Sequence, residues 1–516
     1  MPILQQTAAL LSCTDKAGLV ELATFLQRHG LHILATDGTA AHLEGAGIAC
    51  QRVADYTGFP EILGGRVKTL HPKLFAGILG AGNDRDILAA QGILPIAVVA
   101  VDLYPFARLW AEQPEVLPWE GIDIGGVALL RAAAKNCAHV AAVVGVSDHH
   151  ELMEAMSHGE TMLARCRRTL ARRAFARTAA YDNIIASALA ATGPSTSSAE
   201  EDSLDWPEHI VLTLAEAAAP RYGENPHQKA ACYRMAGQDP LFDLDGQVPA
   251  RLSYNNLMDA QSAWACVTDL QGPACVVVKH LNPCGAGLGA TLAEAAEQAW
   301  NADPLSAYGG IVALNEPCDV LTAKRLCPHF MEVLVAPDFT TEAQDILEQN
   351  KPRLRLLRAR QNPEQRQWRS AWGLIYGQDD DHQALEPWTM VTGILEDESM
   401  RTDLFLAAVV AKHARSNAVI LAKGGRTIGV GCGQTSRVDA VSSALFKATD
   451  RGHDPAGAVA VSDGFFPFRD GLDKLAQAGI RAVLAPNGSK RDPEVLQAAQ
   501  EAGVMLGWLP GRHFRH

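Results

Sequence analysis

The chain has 516 residues, 48% hydrophobic and 20% charged, with a formal net charge of −13 and 11 cysteines. That acidic balance argues against a general nucleic-acid or anionic-membrane surface, while leaving room for a small anionic ligand held by a few local cations. The scattered cysteines form no CxxC pair, the N-terminal MPILQQTAALLS lacks a targeting pattern, and no apolar run reaches a membrane span, so the expectation is a cytoplasmic, reduced protein of about three or four domain-sized units.

Residues 7–12 (TAALLS) and 31–36 (LHILAT) read as strands, and Leu19, Leu22, Ala23 and Leu26 between them follow helical spacing. This strand–helix–strand unit implies a parallel sheet with a right-handed crossover. Residues 93–101 (ILPIAVVAV) and 140–146 (VAAVVGV) add two buried strands. Polar groups gather just after strands: Ser12, Thr14 and Lys16; Thr36, Asp37, Gly38 and Thr39; Asp102 and Tyr104. Open α/β sheets bind ligands beyond the carboxyl ends of their strands, so this clustering marks a candidate site.

In the loop 64–72 (GGRVKTLHP) two glycines allow close backbone approach, and Arg66 and Lys68 supply a fork and a point charge for phosphate. An ordinary mobile loop reads the same way. No Walker A motif occurs, and the GVGCG near Gly429 lacks nucleotide-fingerprint spacing. Asp123 precedes a helix carrying Arg131 and Lys135; Asp123 and Lys135 form an acid–base pair only if that helix turns back over the sheet. The arginine-rich helix over 160–190 reads as a solvated or domain-contacting face. The small, polar stretch 193–203 is the linker candidate.

The second part centres on 274–287 (ACVVVKHLNPCGAG), a β-branched strand that Pro283 and the glycines are expected to stop. Thr291 and Glu294 form a capping box opening a helix. Strand, glycine turn and helix N-terminus would make an anion pocket with Lys279 and His280 at its mouth. Adjacent strand residues point to opposite faces, so both reach one site only if the chain bends after Lys279. The alternative is a solvated lysine beside a structural histidine. CVVVKH, GGIVALN and VLVAP echo, in order, in NAVILAK, GAVAVSD and VLAP, which argues for two similar α/β halves, with Asn417 of one facing His280 of the other at the seam.

Ten stretches, GGRVKTLHP, LYPF, IDIGGVALLRAAAKN, RYGENPHQ, SYNNLMDAQSAW, VKHLNPCGAG, SNAVILAK, GQTSRVDA, SDGFFPFRDGLD and RHFRH, resemble in order the bifunctional AICAR transformylase/IMP cyclohydrolase family (AICAR is 5-aminoimidazole-4-carboxamide ribotide). The resemblance implies an α/β fold: a methylglyoxal-synthase-like three-layer domain with a parallel sheet over 1–195, a linker at 196–204, and two cytidine-deaminase-like halves at approximately 205–370 and 371–516. It further implies a homodimer with formyl-transfer sites at the subunit interface, AICAR, 10-formyltetrahydrofolate and IMP as ligands, and neither a metal nor a tightly bound cofactor.

By resemblance His280 is the proton shuttle of formyl transfer, Lys279 supplies positive charge and Asn417 orients the reacting groups. Arg221, Tyr222, Asn256, Gly309, Glu332 and Arg512 match the AICAR grip, with Phe465 at its border. Val430, Asp470, Ser489 and Lys490 match the folate side. For ring closure Lys135 matches the acid–base residue, and Lys68, Tyr104 and Asp123 its partners. Ser12, Thr14, Lys16, Thr36, Asp37, Gly38, Thr39, Arg66, Val67, Thr69, Asp102 and Ile124 match the ribotide cradle. Asp37 and Asp102 replace the Gly and Asn usual in the family, each adding a carboxylate near the expected phosphorylated ligand.

Two rival readings stand beside this one. A zinc deaminase pairs H-x-E with P-C-x-x-C; His149-His150-Glu151 fits the first part, but Pro283-Cys284 and Pro317-Cys318 lack the second cysteine. The other makes the N-terminal domain a ribotide-sensing regulatory module without catalysis.

Overall fold

The computed structural model describes residues 7–192, 206, 210–212, 214–235, 241–242, 252–360 and 366–516. The chain divides into two compact units, Met1–Thr213 and Leu214–His516. The expected linker, 193–203 or 196–204, lies outside the described residues.

In the first unit β1 (Ala8–Ser12), β2 (His32–Ala35), β3 (Gln51–Arg52), β4 (Ile96–Val101) and β5 (Ala141–Val143) form one sheet in the order β3-β2-β1-β4-β5. Every pair is parallel. Side chains alternate across the strands, so Leu10, Leu34 and Val99 feed one core while Leu11, Ile33 and Val98 feed another, and helices cover both faces. Helix α1 (Leu19–Arg28) buries Leu19, Leu22, Ala23 and Leu26, as its spacing requires. Helices α2 (Asp37–Gly45), α3 (Gly125–Lys135), α4 (Val146–Ser157) and α5 (Glu160–Thr192) complete the layers used below. Two arginines of α5 are ion-pair partners: the buried Arg167 meets Glu160 at 2.6 Å, and the exposed Arg173 meets Asp148 at 2.8 Å and Glu151 at 2.5 Å. Arg165, Arg168, Arg172 and Arg177 face solvent.

The second unit opens with the antiparallel pair β6 (Leu214–Ala218) and β7 (Cys232–Met235). Its first sheet holds β8 (Ala274–Lys279), β9 (Asn282–Leu288), β10 (Gly310–Leu314), β11 (Met331–Ala336) and β12 (Arg355–Arg358), in the order β12-β11-β10-β8-β9. The hairpin β13 (Arg366–Ala371) and β14 (Leu374–Asp379) follows. The last sheet holds β15 (Thr389–Thr392), β16 (Val419–Ala422), β17 (Thr427–Gly431), β18 (Val459–Ser462), β19 (Ala482–Pro486) and β20 (Met505–Leu509), in the order β15-β20-β19-β18-β16-β17.

The sequence echo is a structural duplication. In both sheets an antiparallel hairpin (β8–β9, β16–β17) lies beside an antiparallel strand (β10, β18), which in turn pairs in parallel with the next (β11, β19). Helices α6 (Tyr254–Thr268) and α8 (Glu398–His413) precede the hairpins, and α7 (Leu292–Ala302) and α9 (Arg437–Asp450) follow them. One core draws on both halves, including Ala263, Val276, Leu404 and Ile420. The expected division at 370/371 falls inside β13, so the hairpin straddles it and the halves separate on either side.

One expectation is overturned. Pro283 and the glycines do not stop the strand, because 282–288 is itself β9. A Cβ at Gly287 would lie 2.5 Å from the Ala299 nitrogen and 2.6 Å from the Ala295 carbonyl oxygen of α7, so this glycine admits a helix against a strand and lines no anion pocket. Gly431 makes the same close approach to α9. Among the described residues no helix is long and apolar enough to cross a membrane.

Candidate active sites

In the first unit the chain leaves β1 for β2 on one side and β4 for β5 on the other, which puts the topological switch between β1 and β4. Their carboxyl ends are laced together. The Asp102 carboxylate accepts from the Thr14 N–H, and from the Asp15 N–H at 2.5 Å. Lys16 donates to the Cys13 carbonyl and, at 3.1 Å, to Thr39 Oγ1, whose hydroxyl also meets the Cys13 backbone. Thr36, the residue preceding α2, donates to Ser12 Oγ at 3.2 Å. Both added carboxylates are therefore compensated: Asp102 by two amides, and Asp37, in the first turn of α2, by Arg52 at 3.4 Å. Gly38 stands exposed beside it.

Lys68 Nζ donates to Tyr104 OH at 3.1 Å and lines a cavity with Thr36 and Asp37. Asp123 joins this cluster. Burial pushes its carboxyl up, while the Gly126 amide at 2.6 Å, the Tyr104 backbone and the Lys68 charge oppose that shift. Tyr181 donates to the Gly121 carbonyl and accepts from the Asp123 N–H at 2.8 Å, fixing the segment before α3. Thr69 is buried under Gly125, whereas Arg66 is exposed and turned toward the Leu63 carbonyl and Glu120. Val67 bridges Ile62, and Ile124 is exposed.

Lys135 does not join them. It is the last residue of α3, and ten rises of about 1.5 Å put it roughly 15 Å along the axis from Gly125. The helix does not turn back, so Asp123 and Lys135 stand at opposite ends of it as no acid–base pair.

In the second unit the bend after Lys279 is real. His280 (φ 54°) and Leu281 (φ 64°) form the two-residue turn of the β8–β9 hairpin, both in the left-handed region of a type I′ turn. Lys279 Nζ donates to the Tyr308 carbonyl at 2.6 Å, beside Gly309, and the His280 side chain is exposed. On α6, Ser253 caps the helix through Asn256, whose Nδ2 donates to Glu332 at 2.8 Å. One turn on, Asp259 holds the His280 turn through its amides. Arg221 pairs with Leu252 through its backbone and stacks on Tyr222, so both sit at the entry to α6. Lys279, His280, Asn256, Gly309, Glu332, Arg221 and Tyr222 thus gather on one edge.

The seam brings the second half alongside. Asn282 accepts from the Arg415 N–H at 3.0 Å, two residues before Asn417. Asn417 Nδ2 donates to the Gln434 carbonyl at 2.9 Å, and Ser416 donates to Asp463 at 2.5 Å. Asp463 is buried against Arg437. The C-terminal segment is stitched here: the His513 N–H donates to the Asp463 carbonyl at 3.1 Å, and Arg515 and Ser416 bond through their backbones at 3.0 Å. Arg512 stacks on Phe514, Val430 is buried in β17, and Phe465 is exposed. Asp470 begins a helix at Asp470–Gln477, while Ser489 and the exposed Lys490 precede another at Asp492–Ala502. Among the described residues Asn417 bonds to Gln434 and to none of these three.

Sequence reasoning missed Asp259, Ser262 and Asp463. A signal existed for the first two: Asn256, Asp259 and Ser262 recur every three residues on one face of α6.

This is a two-unit α/β enzyme fold with a polar candidate site in each unit, one at a parallel-sheet switch point and one at the seam of a duplicated half. The family model described as "AICARFT/IMPCHase bienzyme" matches residues 133–447, and an "MGS-like domain" model matches 18–115. A "Bifunctional purine biosynthesis protein PurH" of Acidithiobacillus ferrooxidans is 41% identical over 99% of both chains. That of Persephonella marina is 42% identical over 98% of this chain and 99% of its own. The chain belongs to the AICARFT/IMPCHase bienzyme family. His149-His150-Glu151 lies on α4 of the first unit while Cys284 and Cys318 belong to the second, so the residues of the deaminase signature fall on different units.

Proposed function

We propose that the two units act in turn on one ribotide, carrying out the last two steps of IMP synthesis. In the second unit the aromatic amine of AICAR attacks the formyl carbon of 10-formyltetrahydrofolate. That amine is a weak nucleophile, because its lone pair is delocalised into a ring bearing a carboxamide. Attack therefore needs a group to take the amine proton and positive charge near the developing oxyanion. His280 takes the proton, Lys279 supplies the charge, Asn417 orients the reacting groups, and folate N10 leaves protonated. Arg221, Tyr222, Asn256 and Arg512 hold the ribotide.

In the first unit the carboxamide nitrogen of formyl-AICAR attacks the formyl carbon and water leaves. Both reacting groups are tethered, so the site holds a folded conformer and moves protons. Lys68, Tyr104 and Asp123 carry that role, with Ser12, Thr14, Lys16, Thr39 and Thr69 as the cradle.

The observation that carries the reading is the hairpin tip, which turns an exposed histidine into the edge shared by Lys279, Asn256, Glu332 and the Arg221–Tyr222 pair. The test supplies AICAR and 10-formyltetrahydrofolate and follows formyl-AICAR and IMP separately. His280→Ala lowers formyl transfer by about 10²–10⁴-fold while added formyl-AICAR still closes to IMP. Loss of both reactions in a folded protein contradicts it.

Folate is consumed as a co-substrate, so no tightly bound cofactor is assigned. We place the enzyme in the cytoplasm as a homodimer with formyl-transfer sites at the subunit interface. The β13–β14 hairpin supports that assembly: Trp372 at its tip is 100% exposed and Ile375 61%. A lone two-stranded hairpin is marginal by itself. Burial lowers the Arg415 guanidinium, and the charge of Arg369 on this hairpin adds to that shift.

A further inference from the structure

We infer that Asp259 is a positioning residue for formyl transfer: its carboxylate clamps the turn that aims His280. This rests on the reading of His280 as the proton shuttle.

Every backbone polar group of the turn is committed. Asp259 Oδ1 accepts from the Leu281 N–H at 2.7 Å and Oδ2 from the His280 N–H at 3.3 Å. Ser262, one turn further along α6, donates to the Leu281 carbonyl at 3.1 Å, and Asn282 Nδ2 donates to the His280 carbonyl at 3.0 Å. Such a clamp is needed because a residue bearing Cβ resists the left-handed region, and here two in succession adopt it.

The other half of the duplication supplies an internal control. Asp403 on α8 clamps the β16–β17 turn in the same way, accepting from the Gly424 N–H at 2.8 Å and the Gly425 N–H at 2.7 Å. Those residues, at φ 64° and 77°, are glycines, which take the conformation without penalty. A lysine precedes the turn in both halves, Lys279 and Lys423. One copy therefore keeps the cheap turn, and the other places His-Leu in the same geometry. A turn that favours glycine but holds histidine indicates that the direction of that side chain is being fixed.

The experiment compares Asp259→Asn, Asp259→Asn with Leu281→Gly, Asp403→Asn and His280→Ala in the full chain. It reads kcat and KM for AICAR in formyl transfer, with ring closure of formyl-AICAR as the reference. Asp259→Asn is expected to lower kcat about 10- to 100-fold at nearly unchanged KM and ring closure, since small misplacement of a catalytic group is costly. Adding Leu281→Gly recovers part of the loss by removing the Cβ penalty. Asp403→Asn leaves kcat per folded molecule intact. Wild-type kcat in Asp259→Asn, or equal losses in Asp259→Asn and Asp403→Asn, overturns the inference while His280→Ala remains inactive. If His280→Ala is itself active, the underlying reading fails instead. Should Asp259→Asn leave too little folded protein, Ser262→Ala, which frees only the Leu281 carbonyl, is measured: lowered kcat at unchanged KM supports the clamp, and unchanged kcat refutes it.

Discussion

Gly287→Ala separates packing from ligand binding in the glycine-rich strand. The added methyl would sit 2.5 Å from the Ala299 nitrogen and 2.6 Å from both the Ala295 oxygen and Gln298 Cβ, where ordinary contact begins near 3.4 Å. Two of those three atoms are helix backbone, so α7 must retreat from β9 by most of an ångström. Overpacking of this kind costs about 1–3 kcal/mol, and the rigid obstacle puts this case at the upper end. For a unit of about 300 residues that corresponds to a fall of roughly 3–5 °C in its melting temperature. Scanning calorimetry reads that fall, and steady-state kinetics on the surviving folded enzyme reads KM for AICAR. The expected result is a lower melting temperature with KM within about twofold of wild type, and the same from Gly431→Ala. A tenfold rise in KM with an unchanged melting temperature would show that Gly287 faces the ligand and that the packing account is wrong.

Three further outcomes are expected. Asp123→Asn should slow ring closure of formyl-AICAR by about 10²-fold with formyl transfer intact, and Lys135→Ala should slow it less; the reverse order in a single-turnover assay would return Lys135 to the centre of the chemistry. Burial would raise the Asp269 carboxyl, but the hydrogen bond from His413 at 2.8 Å and the Lys412 charge bring it down to about 2. A depressed carboxylate stabilises the fold above its unfolded value near 4 and loses that contribution as pH falls toward 2, so Asp269→Asn should cost about 1 kcal/mol at pH 6, after discounting for partial exposure, and almost nothing at pH 2; denaturant titrations giving a constant difference would refute this. Trp372→Glu should weaken self-association in sedimentation experiments and lower formyl transfer more than ring closure; unchanged sedimentation would remove the hairpin from the interface.

Much of the first unit was legible because its strands are short apolar runs separated by a clean amphipathic helix, and strand order then fixes where the loops after Ser12 and Val101 meet. The duplication was legible for a similar reason, since paired apolar strands recur at nearly constant spacing. The β9 segment misled because glycine in a strand looks like a turn. Only the approach of α7 to Gly287, a tertiary contact, explains it. The pairing of Asp123 with Lys135 failed on the length of α3, which motif spacing does not convey. Asp259 escaped notice because its partners are backbone amides some twenty residues away, and no side-chain pattern announces them.

The seam has a consequence for how the second unit can be handled. β9 and β17 are outer strands of their sheets, and they cover one another: Leu288 donates to the Gly425 carbonyl at 2.8 Å and Ala286 to Thr427 Oγ1 at 3.0 Å. Cutting the chain between the halves would bare two strand rims whose unpaired amides and carbonyls invite stacking with other molecules. Residues 252–360 expressed alone should therefore clump into aggregates, and soluble recovery should require co-expression with 385–516 so that each rim finds its counterpart.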